Sequence, residues 1–253
     1  MPDTKRALAI VVARDEEAAL PAVLAALPAA VGCVPLDVLV VDDGSTDVTA
    51  RLARQAGATI ISHGYSRGLG AALRTGLAHA ANGGYRAAVY LDGDGEYDPA
   101  EADTLIAAVL DDGADYVIGS RFLGTRIGMA THRSITNRLL TSLMSALTRT
   151  PMTDSQSGYR AFSPRALALA RIRHDYNYAQ VLTLSLWGQR IEPVEVPITY
   201  ARRTSGASFI RHGEYLRKVT PALIAEYREA RSLRRRAPWR SPSVAPRPSP
   251  RRS

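Results

Sequence analysis

The sequence predicts an α/β fold with a central, mostly parallel sheet, and three observations support this. Apolar stretches rich in β-branched residues recur along residues 7–120, and helical patterns lie between them. The stretches 7–13, 36–42 and 86–92 are apolar almost throughout, as expected of strands buried on both faces. Acidic residues follow each of these three stretches, as is typical of a ligand-binding sheet edge. Strands that alternate with helices favour a parallel sheet covered by helices on both sides.

Five strands and four helices are predicted in the first half of the chain. The strands are 7–13, 36–42, 58–62, 86–92 and 114–120. The helices are 16–27, 45–57, 69–82 and 99–113. We expect helix 45–57 to begin at a Ser or Thr cap and to end at Gly57.

The second half departs from this rhythm. Its predicted elements are a long amphipathic helix (132–148), a loop (154–162), a helix (177–189), a strand (191–200) and a helix (212–236). Pro193 and Pro197 place the strand at a sheet edge, and Pro221 predicts a kink in the last helix. We expect one domain over residues 1–212, then an amphipathic helix over 213–236 and a disordered tail over 237–253.

The net charge of +8 is concentrated at the C-terminus. Eight arginines and no acid lie between Arg231 and Ser253, so the remaining 24 basic and 24 acidic residues balance. Such a tail suits nucleic acid or an anionic membrane surface, or it serves solubility alone. Of the two partners we expect the membrane surface and no nucleic acid.

Other global features predict a cytoplasmic protein, peripheral at most to the inner face of the plasma membrane. No apolar run reaches about 18 residues, so no membrane-spanning helix is expected. The N-terminus is typical of a first strand rather than of a signal peptide. Cys33 is the only cysteine, which excludes an internal disulfide and fits a reducing compartment.

The acids that follow the three strands form a candidate binding site. They are Asp15 and Glu16, Asp42 and Asp43, and Asp92, Asp94 and Glu96. The carboxyl ends of parallel strands meet at one edge, so these acids should converge. Like charges this close repel each other unless a cation lies among them, and Mg²⁺ or Mn²⁺ prefers carboxylate oxygens and shares its remaining positions with substrate phosphates. Asp42 and Asp43 have an alternative role as hydrogen-bond acceptors for a base or a ribose.

Less specific roles for the motifs stay open. The stretch 42–47 also suits a turn with a helix cap, and 92–98 suits a solvated turn. A calcium loop would require Gly and Glu where Tyr97 and Asp103 stand. In 67–73, Leu73 replaces the third glycine of a dinucleotide fingerprint, so we interpret this stretch as a loop that approaches a ligand closely at Gly70.

Seven motifs resemble those of family-2 glycosyltransferases in order and spacing. They are VVARDEE, VVDDGSTD, RGLGAALRTG, LDGDGEYDP, GSRF, DSQSGYRAF and EVPITYARRTSGASF. The resemblance covers roughly residues 7–215 and is greatest to the branch of dolichyl-phosphate mannose synthase and polyprenyl-phosphate glucosyltransferases. It implies a GT-A fold, a nucleoside-diphosphate sugar donor, a divalent metal (Mg²⁺ or Mn²⁺) and inversion at the anomeric carbon.

The resemblance also implies roles for individual residues. Asp92 and Asp94 look like the pair that holds the donor ribose and the metal, with Glu96 as a third metal ligand. Arg121 and Arg133 resemble arginines that hold an acceptor phosphate, and Arg203 resembles one that closes on the diphosphate. The nucleotide-sugar pocket is expected to comprise Ala13, Asp15, Glu16, Asp42, Asp43, Gly70, Asp92 and Gly93. The catalytic residues are expected to be Asp94, Arg203 and Asp154, the last in a loop (154–160) that flanks the acceptor.

The acceptor decides whether a base is needed. A polyprenyl phosphate, the acceptor we expect, is already anionic and requires only positioning by arginines. A soluble alcohol, such as a cell-wall or natural-product precursor, is the alternative and requires a base, for which Asp154 and Asp98 are candidates. A third interpretation is a non-catalytic protein that binds a nucleotide sugar or a polyanion.

The chain departs from the family pattern at two positions. Arg14 stands where relatives usually have a stacking Tyr, which leaves the choice between uracil and guanine open. Phe209 stands where this branch often has Lys, which removes one phosphate contact. The altered first motif and the lack of predicted membrane helices favour the soluble acceptor.

Overall fold

The computed structural model describes residues 5–175, 178–202 and 212–236, and in the last range it describes side chains from residue 221 onward. Its strands are β1 Ala7–Ala13, β2 Ala30–Val31, β3 Val34–Asp42, β4 Thr59–Ser62, β5 Ala87–Asp92, β6 Tyr116–Ser120, β7 Arg126–Ile127, β8 Arg160–Phe162, β9 Pro193–Pro197 and β10 Tyr200–Ala201. Its helices are α1 Leu20–Ala26, α2 Thr49–Gln55, α3 Leu69–Gly83, α4 Ala102–Leu110, α5 Thr131–Thr148, α6 Pro164–Leu169, α7 Ala179–Gly188 and α8 His212–Arg236. A 3₁₀ turn, Pro99–Glu101, precedes α4.

The strands form a mixed, mostly parallel sheet in the order β2-β3-β1-β5-β8-β6-β9, with β4 also paired to β3. β1 lies parallel between β3 and β5, and β9 runs parallel to β6. β8 runs antiparallel to both of its neighbours, β5 and β6. β10 and β7 form a separate two-stranded sheet. The predicted α/β fold with a mostly parallel sheet is confirmed.

The sheet is buried on both faces, which explains its uniformly apolar strands. Along β1, Ala9 and Val11 pack into one core cluster, whereas Leu8 and Ile10 pack into a second one on the opposite face. Helices α1, α2 and α4 contribute to the first cluster, and α3, α6 and α7 contribute to the second. Side chains at alternate positions of a strand point to opposite faces, so both faces select apolar residues here.

Helices α1 and α2 begin four residues later than predicted, and the predicted Ser or Thr cap of α2 is wrong. α1 begins at Leu20, and α2 begins at Thr49 without a side-chain cap. The hydroxyl of Ser45 accepts a hydrogen bond from the amide of Asp15, and that of Thr49 accepts one from the amide of Glu16. These hydroxyls therefore join two loops instead of capping a helix.

The prediction of a loop over residues 154–162 is wrong at its end, where β8 forms a central strand. Its three residues are fully buried between β5 and β6. A three-residue strand that begins with Arg has no periodicity for the sequence to reveal. The elements β2, β7, β10 and α6 were not predicted either, because they are also too short to show a periodic pattern. The edge position predicted for the strand with Pro193 and Pro197 is confirmed.

The C-terminal helix α8 packs mainly on α7. Leu184 and Trp187 of α7 share a small core cluster with Ala230 of α8 and Met144 of α5. α8 continues through Pro221, and no helix among residues 5–175, 178–202 and 212–236 combines the length and apolarity needed to cross a bilayer. The domain division at residue 212 stays a prediction, and the tail 237–253 lies outside the described residues.

Gly70 lies against the chain's own backbone, and its predicted approach to a ligand stays a prediction. The amide of Gly70 donates to the carbonyl oxygen of Asp175 at 2.8 Å. A Cβ at position 70 would collide with the carbonyl oxygen of His174. Gly70 thus permits close packing of the start of α3 against the segment 174–175.

We expect Gly70→Ala to lower the free energy of unfolding by about 1–3 kcal/mol, because the added methyl forces the backbone at His174 to move. Gly64→Ala is the matched control, since no atom lies within 4 Å of its added Cβ and Gly64 is exposed. Urea unfolding followed by circular dichroism measures both. Equal stability of the two variants would contradict the packing role of Gly70.

Candidate active site

The carboxyl ends of β1, β3 and β5 meet at one edge of the sheet. Asp42 is the register partner of Ala13, and Asp92 is that of Val12. Just beyond the strands, the amide of Asp43 donates to the oxygen of Ala13 at 2.9 Å, and that of Gly93 donates to the oxygen of Val12 at 2.8 Å. Backbone hydrogen bonds therefore fix the positions from which the acidic side chains extend.

Asp15 and Asp42 shape the loops at this edge. Asp15 has a positive φ of 52° and accepts a hydrogen bond from the amide of Thr46 at 2.7 Å. Asp42 is buried and accepts one from the amide of Ser45 at 3.0 Å. The turn at 14–17 and the loop at 43–48 are thereby held against each other, which forms a rim beside the ends of β1 and β3.

The carboxylate of Asp43 is engaged by the loop 63–68, and its predicted role in donor binding stays a prediction. Its Oδ1 contacts Nδ1 of His63 at 2.7 Å and accepts from the amide of Arg67 at 2.9 Å. Its Oδ2 accepts from the hydroxyl of Ser66 at 2.8 Å and from the amide of Gly68 at 2.9 Å. Burial alone would raise the pKa of Asp43, but these hydrogen bonds lower it below its usual value. Asp43 therefore organises the loop 63–68.

Asp92 is a carboxyl group at the edge whose pKa is strongly raised. Burial, followed by the negative charge of Asp94, raises the pKa of Asp92 to about 7, and Glu96 and Glu16 add to this effect. The hydroxyl of Tyr90 donates to Oδ1 of Asp92 and opposes the rise. Negative charge is thus concentrated around Asp92, and such a concentration suits a site for a positively charged ligand.

The carboxylate of Glu96 is already paired in the structure, and its predicted role as a third metal ligand stays a prediction. It accepts hydrogen bonds from Arg133 at 3.1 and 3.2 Å and from the hydroxyl of Tyr200 at 3.0 Å. Within the described part of the chain, no three His, Cys, Asp or Glu side chains are grouped to hold a metal ion. Glu96 would have to leave Arg133 and Tyr200 to join Asp92 and Asp94 around a metal.

Arg121 and Asp154 form a buried, bidentate ion pair. Nε of Arg121 lies 2.6 Å from Oδ2 of Asp154, and Nη2 lies 2.8 Å from Oδ1. The side chains are 2% and 0% exposed. The guanidinium thus occupies both oxygens of Asp154, and the predicted role of Asp154 as a base stays a prediction. Asp98, the other candidate base, caps the 3₁₀ turn through the amide of Ala100.

Arg121 and Arg133 lie close together, around Tyr200. Their guanidinium carbons are 5.7 and 5.3 Å from the centre of the Tyr200 ring. Arg133 is 41% exposed, whereas Arg121 is buried and fixed by its carboxylate partner. Of the two predicted phosphate ligands, Arg133 is thus the one whose guanidinium is accessible, and Arg121 supplies a fixed positive charge behind it.

Arg160 is a buried side chain that the sequence did not single out. It is fully buried and donates to the carbonyl oxygens of Ser157, Ser155 and Ala179 at 2.8, 2.9 and 3.0 Å. The ring of Tyr178 lies 5.5 Å from its guanidinium carbon. Arg160 thereby holds the loop 154–159 in place. Arg203, predicted to close on the diphosphate, lies outside the described residues.

We expect Asp92→Asn to change how stability depends on pH in the presence of EDTA. The unfolded carboxyl group titrates near about 3.9, and the folded one at about 7. Stability is therefore lost as pH rises through this window, because only the folded state retains the proton. Melting temperatures from about pH 5 to 8 should fall more steeply in the wild type than in Asp92→Asn. The exposed control Asp103→Asn should show the same slope as the wild type. If Asp92→Asn also showed that slope, the raised pKa of Asp92 would be contradicted.

We expect Glu96→Gln to lower the free energy of unfolding by about 1 kcal/mol, because Arg133 and Tyr200 lose an anionic partner. We also expect Mn²⁺ to bind this variant with nearly unchanged affinity. Urea unfolding and a Mn²⁺ titration by calorimetry, with UDP and with GDP, test both statements. A large loss of Mn²⁺ affinity at unchanged stability would instead support Glu96 as a metal ligand.

Comparison with known proteins agrees with this architecture. The model of the family described as "Glycosyl transferase family 2" matches residues 8–168. Glucosyl-3-phosphoglycerate synthase from Mycobacterium tuberculosis, solved with Mn²⁺ and UDP-glucose, superposes with a TM-score of 0.69 over 87% of this chain and 78% of that one. The sequence identity is 21%, so this likeness shows the GT-A fold alone.

Two sequence relatives cover most of the chain. Polyprenol monophosphomannose synthase from Mycolicibacterium smegmatis is 32% identical, over 81% of this chain and 81% of that protein. Undecaprenyl-phosphate mannosyltransferase from Micrococcus luteus is 33% identical, over 82% of this chain and 88% of that protein. With a family model matched over more than half of its length, this chain belongs to glycosyltransferase family 2 and is a glycosyltransferase of the GT-A fold.

Proposed function

We propose that this enzyme transfers a hexose from a nucleoside-diphosphate sugar to a polyprenyl phosphate, with inversion at the anomeric carbon. The choice of acceptor rests on the fact that both candidate bases already have hydrogen-bond partners within the chain. Asp154 is bound by Arg121 on both oxygens, and Asp98 caps a turn. An acceptor that is already ionised needs neither of them, whereas an alcohol needs a free base.

The donor side of the proposal rests on Asp92 and Asp94. Two carboxylates at a strand end suit Mg²⁺ or Mn²⁺, which take few protein ligands and complete their coordination with diphosphate and water. The raised pKa of Asp92 supports this fit, because a cation would relieve the crowded negative charge. When bound, the metal would neutralise charge on the leaving diphosphate.

The chain's own residues position Asp92. Tyr90 donates to one oxygen of Asp92 and so orients the carboxylate. A Cβ at position 158 would lie 2.8 Å from the other oxygen and 3.2 Å from the hydroxyl of Tyr97. Gly158 therefore lets the loop 154–159 pack closely against Asp92.

On the acceptor side, Arg133 is the residue proposed to bind the phosphate. Its guanidinium is partly exposed and is paired with Glu96, so a phosphate would replace that carboxylate as its partner. Arg121 stays paired with Asp154 and adds a fixed positive charge. Arg203 is proposed to close on the diphosphate.

The sequence relatives support the same acceptor. The names of the Mycolicibacterium smegmatis and Micrococcus luteus proteins refer to a polyprenol phosphate and to undecaprenyl phosphate. Their similarity extends over about four-fifths of this chain, which is more than the part matched by the family model. An enzyme with this acceptor is expected at the cytoplasmic face of the membrane, with its basic tail at the lipid surface.

We expect release of a nucleoside diphosphate only when one donor and undecaprenyl phosphate are both present with Mn²⁺. The assay offers GDP-mannose, UDP-glucose and UDP-N-acetylglucosamine in turn, each with undecaprenyl phosphate, with 3-phosphoglycerate, or with no acceptor. Mass spectrometry then identifies the glycosylated lipid. Asp94→Asn should lower turnover by about a hundredfold or more, since the charge of the leaving group is no longer balanced.

Asp103→Asn is the matched control, because Asp103 is an exposed aspartate on α4, and it should retain full activity. Turnover with 3-phosphoglycerate and none with the lipid would replace the proposal with the soluble acceptor. Binding of a nucleotide sugar without any turnover would indicate a non-catalytic protein.

A further inference from the structure

Helix α5 exposes part of its apolar surface. Its buried residues are Thr141, Met144 and Thr148, two of which are polar, and Leu140 and Leu147 are partly buried. Its other large aliphatic residues Ile135, Leu139 and Leu143 are instead 55%, 67% and 45% exposed. A surface helix of a globular protein normally buries its apolar stripe and exposes its polar one.

The exposed aliphatic residues form one continuous stripe. Ile135, Leu139 and Leu143 are spaced four residues apart, so they lie one above the other on the same face of the helix. The buried Thr141 and Thr148 lie on the opposite side. The stripe is therefore an organised surface and not a set of scattered exposed residues.

The inward polar residues have a structural task, which explains why they are buried. The hydroxyl of Thr141 accepts from the amide of Ser155 at 3.0 Å, in the loop beside the candidate active site. The hydroxyl of Thr148 donates to the carbonyl oxygen of Met144 at 2.8 Å, and the backbone carbonyl of Thr148 accepts from Nε1 of Trp187 at 2.9 Å. These hydrogen bonds explain why Thr141 and Thr148 lie on the inner face of the helix. They do not explain why three large aliphatic residues lie on the outer face.

The segment that leads into α5 extends the apolar surface. Leu123 and Ile127 are each at least half exposed. Between them and the helix, the ring of Phe122 lies 4.6 Å from the guanidinium carbon of Arg126 and 5.1 Å from that of Arg138. Aliphatic side chains and arginines are thus interleaved on this side of the molecule.

The positive charge of residues 121–153 indicates which kind of partner this surface binds. Between Arg121 and Thr153 there are five arginines and no Asp or Glu. In a symmetric dimer formed through this surface, Arg126 and Arg138 of one copy would face those of the other, which costs energy. An anionic lipid surface offers both a hydrophobic layer and negative headgroups, and so complements the two features together.

We propose that the surface made by Leu123, Ile127, Ile135, Leu139 and Leu143 docks onto an anionic lipid bilayer, with α5 lying in the headgroup region. This inference goes beyond the proposed reaction, because it concerns attachment and needs neither donor nor acceptor. It also differs from attachment by the basic tail, since the docking residues belong to the folded domain.

Flotation of the full chain with vesicles that contain no polyprenyl phosphate tests the proposal. We expect binding to vesicles with about a third phosphatidylglycerol and little binding to phosphatidylcholine alone. The double variant Leu139→Gln, Leu143→Gln should lower the bound fraction by about fivefold or more. Val194→Gln is the matched control, because Val194 is similarly exposed at the edge strand β9, and its binding should equal that of the wild type.

Two controls distinguish docking by this surface from attachment by the tail and from dimer formation. The chain truncated after Arg236 should still bind to the vesicles, and the double substitution should still weaken this binding.

Unchanged binding by the double variant, or loss of all binding on truncation, would overturn the proposal in favour of the tail. A wild-type dimer that the double variant converts to a monomer, without binding to vesicles, would assign the surface to a second copy. Because the altered residues are exposed, circular dichroism should show an unchanged fold.

Discussion

The insertion of one antiparallel strand among parallel ones decides where the acceptor-side residues lie. β8 runs against β5 and β6, and its first residue, Arg160, pairs with Tyr90 on one side and with Ile118 on the other. The loop that precedes an antiparallel strand lies beyond the carboxyl ends of its neighbours. Asp154 and the residues after it therefore reach the edge that carries Asp92. A parallel strand in this position would have placed the loop at the opposite edge.

Charged side chains then hold that loop in place beyond the point where the hydrogen bonds between strands end. Carbonyl groups outside a ladder need donors, and one guanidinium, that of Arg160, supplies them to Ser155, Ser157 and Ala179. The carboxylate of Glu195 accepts from the amide of Asp154 on the other side of the loop. The loop is thus held by side chains from β8 and β9, the two strands that flank β6, which gives it a fixed frame without regular secondary structure.

The sequence predicted what repeats along the chain and missed what depends on side-chain direction. β1, β3 and β5 were predicted because strands buried on both faces leave long apolar runs, and their order placed Asp92 and Asp94 at the correct edge. Spacing alone does not say which way a carboxylate turns. Asp43 turned towards its own loop and Glu96 turned towards Arg133, because those partners come from distant segments. The close approach at Gly70 was expected, but its partner was the chain itself.

The paired arrangement of charges around Tyr200 has a consequence for the kinetics of binding. Arg121 with Asp154 and Arg133 with Glu96 sum to zero formal charge, so these four groups create little long-range attraction for an anion. An anionic acceptor gains its electrostatic energy only at contact, once a carboxylate has been displaced. If the acceptor is the proposed phosphate, selectivity at this position would therefore be expressed in how slowly a correct acceptor leaves rather than in how fast it arrives. The enzyme would then sample many molecules briefly and retain those that can exchange for Glu96.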